Sequence, residues 1–331
     1  MRIALDAMGS DEAPGPELAG ARLAVEADPA LEIVLVGDGV VATHDRIRVV
    51  HAAERITAAD HPAQALRGKP GSSLHVAIDL VAAGDADAVV SAGNSGAVLA
   101  LAKVALPLAG PSASLRPAIV AVLPAPTGPV VLCDAGANVE PRPAALARFA
   151  AIGAAYDRIV HGRACPRVGL LANGSEPSKG TAVTREAHAL LTAQAARAGA
   201  PTFRFVGYVE GSDLFTGVVD VVTTDGFTGN VVLKTCEGIA EGMFGLVRRE
   251  LDATPLARLG AAIVAPALRN VAHQIDYTEV GGALLAGVAR PVVIAHGRSD
   301  AAAIASAIRS AATFVACDLA GRIAVALVEP A

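Results

Sequence analysis

Six short apolar runs in this chain each end in a loop of Gly, Asn, Asp and Ser, and that repetition restricts the fold more than any other feature of the sequence. IALD leads into Ala7–Asp11, AVVS into Ala92–Gly96, VVLC into Asp134–Asn138, VGLLA into Asn173–Gly180, VVTT into Asp225–Asn230, and PVVIA into His296–Asp300. Between such runs lie Ala- and Leu-rich stretches of helical length. Continuous apolar runs, as opposed to alternating ones, mark strands covered on both faces. The pattern predicts an α/β fold, a mostly parallel, Rossmann-like three-layer arrangement with helices on both faces of the sheet. Strands are expected near 2–5, 32–36, 47–51, 87–91, 118–122, 130–133, 167–171, 203–207, 218–223 and 291–295. Helices are expected near 15–27, 73–83, 95–105, 143–156, 182–198, 230–251, 256–273 and 300–316.

No internal repeat, low-complexity linker or composition break divides the chain, so residues 1–331 are expected to form one compact unit, two-lobed if divided at all. The stretch 241–275 differs. It reads as long helices interrupted near Pro255 and Pro266, a segment that projects from the sheet. Leu256, Leu259, Ile263 and Ala267 share one helical stripe there, with Arg248, Arg249, Arg258 and Arg269 nearby. Such a stripe suits an acidic carrier protein or an anionic lipid surface, or else a dimer or core contact.

Composition excludes several classes. Apolar residues make up 53% of the chain and mean hydropathy is +0.49. The longest uncharged stretch, Pro117 to Cys133, nevertheless carries four prolines and is no spanning helix. Net charge is −5 with no basic block, which argues against a nucleic-acid partner. The amino terminus has an acid at Asp6 and no apolar core of a secretory signal, so a cytoplasmic protein is expected, with peripheral membrane contact at most. Cys133, Cys165, Cys236 and Cys317 lie far apart, without zinc-finger spacing, and no histidine pair has ligand spacing, so neither metal nor cofactor is expected. No G-x-S-x-G elbow is present. Gly37-x-Gly39 after a strand imitates a dinucleotide fingerprint. The next strand follows too soon, at Ile47, for an ordinary helical crossover, which argues against a nicotinamide cofactor.

In a doubly wound sheet the parallel strands present their carboxyl ends on one edge, so the six loops are expected to converge there. Glycine lets backbone approach an oxyanion, and the free N–H groups of a following helix supply donors and a favourable dipole. Gly93, Asn94 and Ser95 in one loop, and Asp225, Gly226 and Asn230 in another, are therefore candidate anion cradles. Asn138 and Asn173 stand in two further loops. Only four lysines occur among 27 basic residues, and two of them, Lys179 and Lys234, follow these loops, where a compact ammonium suits a bound anion. His296 ends a strand and is a candidate donor to a carbonyl or phosphoryl oxygen. Each loop taken singly is equally well a tight turn.

At these loops the sequence resembles the bacterial phosphate acyltransferases that use acyl carrier protein. The matching segments are 6–14 (DAMGSDEAP), 90–97 (VSAGNSGA), 134–140 (DAGANVE), 169–181 (GLLANGSEPSKGT), 205–214 (FVGYVEGSDL), 220–238 (DVVTTDGFTGNVVLKTCEG) and 281–300 (GGALLAGVARPVVIAHGRSD). Ser10 stands where that family usually has a second glycine, and Ser95 where it has threonine. The resemblance implies a homodimer that moves the acyl group of acyl carrier protein onto inorganic phosphate, without a cofactor. It also implies delivery of the acyl phosphate to a membrane glycerol-3-phosphate acyltransferase. Phosphate is already nucleophilic and a thiolate leaves readily, so transfer needs position and oxyanion donors more than an activated side chain. On this reading Gly93, Asn94 and Ser95 cradle phosphate, while Asp225, Gly226 and Asn230 orient it. Lys179 and Lys234 neutralise charge, and Asn173 or His296 donates to the carbonyl oxygen. The rivals are a short-chain phosphotransacetylase acting on acyl-CoA and a non-catalytic carrier- or membrane-binding protein.

Overall fold

The computed structural model describes residues 1–57, 59–109, 116–196, 202–275 and 281–328, without the side chains of 272–275 and 328. The first third runs β1 (Arg2–Asp6), α1 (Gly15–Ala27), β2 (Glu32–Gly37), β3 (Ile47–His51), α2 (Pro62–Gly68), α3 (Ser73–Ala83), β4 (Ala88–Ser91) and α4 (Ser95–Ala105). The middle holds β5 (Ala118–Leu123), β6 (Val130–Cys133), α5 (Pro143–Val160), β7 (Arg167–Leu171), α6 (Ala182–Ala195), β8 (Arg204–Val209), a 3-10 turn at Gly211–Phe215, and β9 (Val221–Thr223). The last third adds α7 (Gly226–Asp252), α8 (Pro255–Ile275), β10 (Ala283–Ala286), β11 (Val292–Ile294), α9 (Ala301–Ala316) and α10 (Leu319–Val328).

Helix starts are written locally. The side chains of Ser72, Asn94, Thr181, Asp225 and Asp300 each accept a hydrogen bond from the backbone N–H three residues on, opening α3, α4, α6, α7 and α9. Prolines Pro62, Pro143 and Pro255 begin α2, α5 and α8, where their missing N–H has no cost. α3 ends on Gly84 in the left-handed region, with φ 81°.

The strands form one eleven-stranded sheet in the order β3-β2-β1-β4-β11-β10-β5-β6-β9-β7-β8. Helices cover both faces. Ile304 of α9, Leu146 of α5, Ala24 of α1 and Ala187 of α6 pack against one. Leu74 of α3 and Val98 of α4 pack against the other, where the inner side of α7 contributes Val232 and Leu233. Complete burial of a Leu or Ile side chain stabilises by about 2 kcal/mol relative to exposure, so these two layers carry most of the favourable free energy.

Strand direction departs from expectation. β3, β2, β1, β4 and β11 pair in parallel, as do β6, β9, β7 and β8. Between the blocks lie three antiparallel pairings, β11/β10, β10/β5 and β5/β6. Three reversals invert the direction, so the blocks run oppositely and their carboxyl-end loops emerge on opposite edges. The strand that makes this possible, β10, lies in a Gly-flanked ALLA run too short to announce itself. α2 and α10 are likewise additions to the sequence reading. α7 starts at Gly226 because Asp225 caps it, so Lys234 sits two turns inside the helix. α8 runs unbroken through Pro266. Residues 197 and 198, expected in a helix, lie outside the described residues.

β2 and β3 pair in parallel through residues 38–46 without a helix, so the short connection is no obstacle to parallel pairing. No helix opens after Gly39, however, and the loop lacks the N-terminus on which a pyrophosphate would rest.

At the amino ends of β6, β7 and β9, Asp220 accepts from Arg167 Nε at 2.9 Å, from Arg167 Nη2 at 2.7 Å and from the Arg167 backbone N–H at 2.8 Å. Burial alone would raise the Asp220 carboxyl, but the Arg167 bonds outweigh it and hold the group below its ordinary value. Beside it the fully buried Asp157 of α5 meets Arg163 at 2.5 Å and His161 Nδ1 at 2.7 Å. Among the described residues no single helix is long and apolar enough to cross a membrane. α9 and α10 reach that length only as a pair bent by 58°.

Candidate active site

A cleft of about 380 Å³ lies over the central antiparallel strands. Its floor is Ile119 and Ala121 of β5, Ala283 of β10 and Ile294 of β11, and α7 roofs it with Asn230, Leu233, Lys234 and Glu237. One end is closed by Gly93, Ser95 and the 295–299 loop, the other by Ala135 and Gly136. Loops from opposite edges of the sheet thus meet across one face. The 91–96 and 225–230 segments converge by this route, with α7 as the bridge, rather than by sharing an edge.

Each end is braced by backbone contacts. The Ala295 N–H donates to Ser91 O at 2.9 Å and the Asp11 N–H to Gly297 O at 2.8 Å, joining three loops of the first block. A Cβ on Gly9 would fall 2.8 Å from Gly93 N, so this first loop touches the cleft loop backbone to backbone. Ser10 is buried beyond it, its N–H donating to Glu17 Oε1 at 2.9 Å. In the second block the Gly226 N–H donates to Asn138 O at 2.7 Å. A Cβ on Gly229 would overlap Asp134 O, which lets α7 lie directly on the 134–138 loop.

Several polar groups of these loops are engaged with one another. The Asp134 carboxylate accepts from the N–H groups of Ile119, Gly136, Ala137 and Asn138 and from Asn138 Nδ2. Burial raises its proton affinity, and these bonds oppose the rise. Gly93 N–H donates to Ser91 Oγ at 3.1 Å, which in turn donates to the buried Asp6 at 2.7 Å. Burial pushes the Asp6 carboxyl up against the hydroxyl bonds from Ser73 and Ser91. Asn94 caps α4 and its amide donates to Asp60 O at 3.2 Å. Asp225 is occupied by Thr228 N and Oγ1, both at 2.8 Å.

Of the candidate residues, Gly93, Ser95 at the start of α4, Asn230, Lys234 and His296 line the cleft, whereas Asn94, Asn138, Asp225 and Gly226 do not. The N–H groups of Ser95 and Gly96, first and second in α4, have no acceptor within the helix and lie at its positive end. Lys234 Nζ lies 2.7 Å from Glu237 Oε2. Burial first, and Lys234 second, lower the proton affinity of His296 and favour the neutral ring. Its Nδ1 accepts from Arg298 N–H at 3.1 Å, which places the proton on Nε2 as a donor. Arg298 also bonds Glu241 of α7 at 2.9 Å, tying the β11 loop to the roof.

Asn173 and Lys179 belong to the loop after β7 and do not line the cleft. Asn173 Oδ1 accepts from Gly180 N–H at 2.9 Å, and Lys179 Nζ stands 4.0 Å from Glu176. The sequence reading overlooks Glu237 and the paired Ser91 and Asp6. Glu237 carries a signal, as a charge one turn beyond Lys234 in a cleft-facing register. Burial raises the proton affinity of both nearby thiols, Cys236 and Cys133, so neither is an activated nucleophile. Among the described residues no group of three or more His, Cys, Asp and Glu is placed to hold a metal ion.

The frame is a three-layer α/β fold whose cleft is lined by backbone, amide, imidazole, carboxylate and ammonium groups, an arrangement suited to group transfer. The profile of the fatty acid synthesis protein family matches residues 1–322. The chain is 45% identical to the phosphate acyltransferase of Myxococcus xanthus over 94% of this chain and 89% of that protein. It is 42% identical to the phosphate acyltransferase of Geobacillus thermodenitrificans over 98% of each. The chain belongs to this phosphate acyltransferase family and is an acyltransferase. Its fold is similar to that of a phosphotransacetylase from Streptococcus pyogenes, with TM-score 0.60, 15% identity and coverage of 96% and 94%. A branched-chain phosphotransacylase from Enterococcus faecalis is also similar, with TM-score 0.56, 16% identity and coverage of 94% and 98%.

Proposed function

We propose that the enzyme transfers a fatty acyl group from acyl carrier protein to inorganic phosphate by direct attack on the thioester. The observation that carries this is the cleft itself, where Ser95 at a helix N-terminus, Asn230, neutral His296 and Lys234 converge with no activated thiol. Phosphate sits between the start of α4 and the Lys234 ammonium. One of its oxygens forms the new C–O bond at the thioester carbonyl, and His296 Nε2–H and the Asn230 amide donate to the oxyanion that develops. Collapse breaks the C–S bond, and the carrier thiolate leaves and takes a proton from water.

The product is a mixed anhydride that water destroys, so a membrane glycerol-3-phosphate acyltransferase is its fitting acceptor. The long hairpin of α7 and α8 offers the docking face for the carrier in a homodimeric, cytoplasmic enzyme. Leu256 and Ile263 are 79% and 75% exposed there, with Arg248, Arg249, Arg258 and Arg269 on the same hairpin.

Acyl-phosphate formation is to be assayed with purified enzyme, phosphate and either acyl carrier protein or coenzyme A thioesters. The carrier thioester is expected to give the higher kcat/KM. Preference for short-chain acyl-CoA would transfer the assignment to a phosphotransacetylase, and no product from either would leave a binding protein. Incubation with the carrier thioester alone is expected to leave the enzyme unmodified by mass; an acylated Cys or Ser would refute direct attack.

A further inference from the structure

Behind the Lys234–Glu237 wall lies a second cavity of about 390 Å³ at the root of the α7–α8 hairpin. Leu123 at the end of β5, Phe215 of the 3-10 turn, Ile239, Met243 and Phe244 of α7, and Leu268 of α8 supply its surface. Among its lining residues the one charged side chain is Glu237, and Glu237 and Leu233 line the polar cleft as well. We propose that this groove binds the hydrocarbon tail of the acyl donor, with the reacting carbonyl at the Glu237 boundary and the tail running between α7 and α8. The inference rests on the acyl-transfer reading above and adds where the chain goes.

Three observations support it. The two cavities adjoin, with Leu233 and Glu237 in both linings, so an amphiphile with its polar end among Asn230, Lys234 and His296 would meet the apolar side chains next to it. The volume falls within the range of about 300–1,000 Å³ typical of small-molecule sites. Met243, an unbranched and flexible side chain in the lining, suits tails of different length. The groove opens to solvent between two helices of one chain, and Phe215, Ile239, Met243, Val247 and Val271 of its lining are exposed in the single chain. The exposed outer stripe of Leu256, Leu259 and Ile263 is not part of its lining. The Cys236 thiol within it stays protonated, since burial raises its proton affinity, and does not attack the thioester.

The test measures kcat/KM for donors of increasing acyl length in the wild type and in Ala240→Trp, which fills the groove. The wild type is expected to gain up to about fourfold per added methylene until the groove is full. Ala240→Trp is expected to lose at least about tenfold with a twelve-carbon tail and less than about twofold with a four-carbon one, the hydrophobic transfer being the part removed. An equal loss at every length, or none, would overturn the proposal.

The chain contains no tryptophan, so Phe244→Trp adds a single reporter independent of turnover. Titration with 12-bromododecanoate is expected to quench it saturably, and Ala240→Phe on that background to abolish saturation. Quenching that never saturates sinks the groove, as does an emission shift that tracks self-association instead of fatty acid, the mark of a second copy covering it. If 12-bromododecanoate saturates while no thioester is converted, the acyl-transfer reading fails and the alkyl site stands. If thioester is converted without length dependence or saturation, acyl transfer stands and the alkyl site fails.

Discussion

The Lys234 ammonium lies 2.7 Å from the Glu237 carboxylate, one turn further along α7, and Glu237 lines both the polar cleft and the apolar groove. Lys234 is 48% exposed, so the pair contributes less than about 1 kcal/mol to stability. Its consequence is positional. Glu237 holds the ammonium at the mouth of the cleft, and the weakness of the pair lets an entering anion take it over.

Lys234→Ala is accordingly expected to lower kcat/KM for phosphate by about a hundredfold or more, the usual cost of removing a group that stabilises developing charge. Lys179→Ala, in a loop outside the cleft, is expected to change it less than about threefold. Steady-state kinetics on both variants check the contrast, and equal effects would mean that the β7 loop closes onto the site during turnover.

His296 is expected to titrate below 6.5 in an NMR pH series, because burial and the Lys234 charge both disfavour the imidazolium. Lys234→Gln removes one of those causes and moves the titration upward. The sign for folding follows. As pH falls below 6.5 the unfolded chain takes up the proton first, so this residue's cost to folding grows as pH falls from 6.5 to its lowered folded value and is complete below that. A His296 titration above 6.5 would remove the neutral donor from the mechanism.

Gly229→Ala places a methyl group against Asp134 O and must lift α7 from the 134–138 loop. A loss of about 1–3 kcal/mol in urea unfolding is expected, the range for an overpacked contact, with a fall in kcat because Asn230 and Lys234 ride on the displaced turn. Unchanged kcat in the folded variant would show that the position of α7 is not critical.

Arg163→Met leaves Asp157 buried with only His161 beside it and is expected to cost about 3 kcal/mol, with kcat unchanged where the variant is folded. Arg167→Gln tests the neighbouring pair through pH. The Asp220 carboxyl is held below its ordinary value of 3.8, so its contribution is complete above that pH and is lost as pH falls through the folded value. The stability gap between wild type and Arg167→Gln should therefore narrow on acidification. A constant gap from about pH 6 to about pH 3 would exclude the ion pair as its source.

Much of this architecture is legible in local sequence. Continuous apolar strands such as EIVLV require cover on both faces, and caps such as Asn94, Asp225 and Asp300 open helices at the positions read from the chain or within a turn of them. The cleft residues Ser95, Asn230, Lys234 and His296 are all marked by their places after strands. Asn94 and Asp225 are marked in the same way, yet in the fold their side chains close helix ends. The same chemistry that makes Asn and Asp good ligands makes them good caps, and spacing does not separate the two uses. The sheet reversal is hidden because β10 spans only Ala283–Ala286, and its direction depends on partners in β5 and β11 that lie outside that short run.

The sequence by itself determined the layers, the helix starts and the collection of Gly, Asn, Ser, Lys and His at strand ends, because these depend on contacts within a few residues. Only the tertiary structure decided which loops meet. Two opposed parallel blocks, joined through three antiparallel pairings, send their loops to opposite edges. α7 then crosses the face between them and carries Asn230 and Lys234 to Ser95 and His296. That meeting is a property of strand order and helix docking, which summed long-range packing fixes and no single stretch of chain encodes.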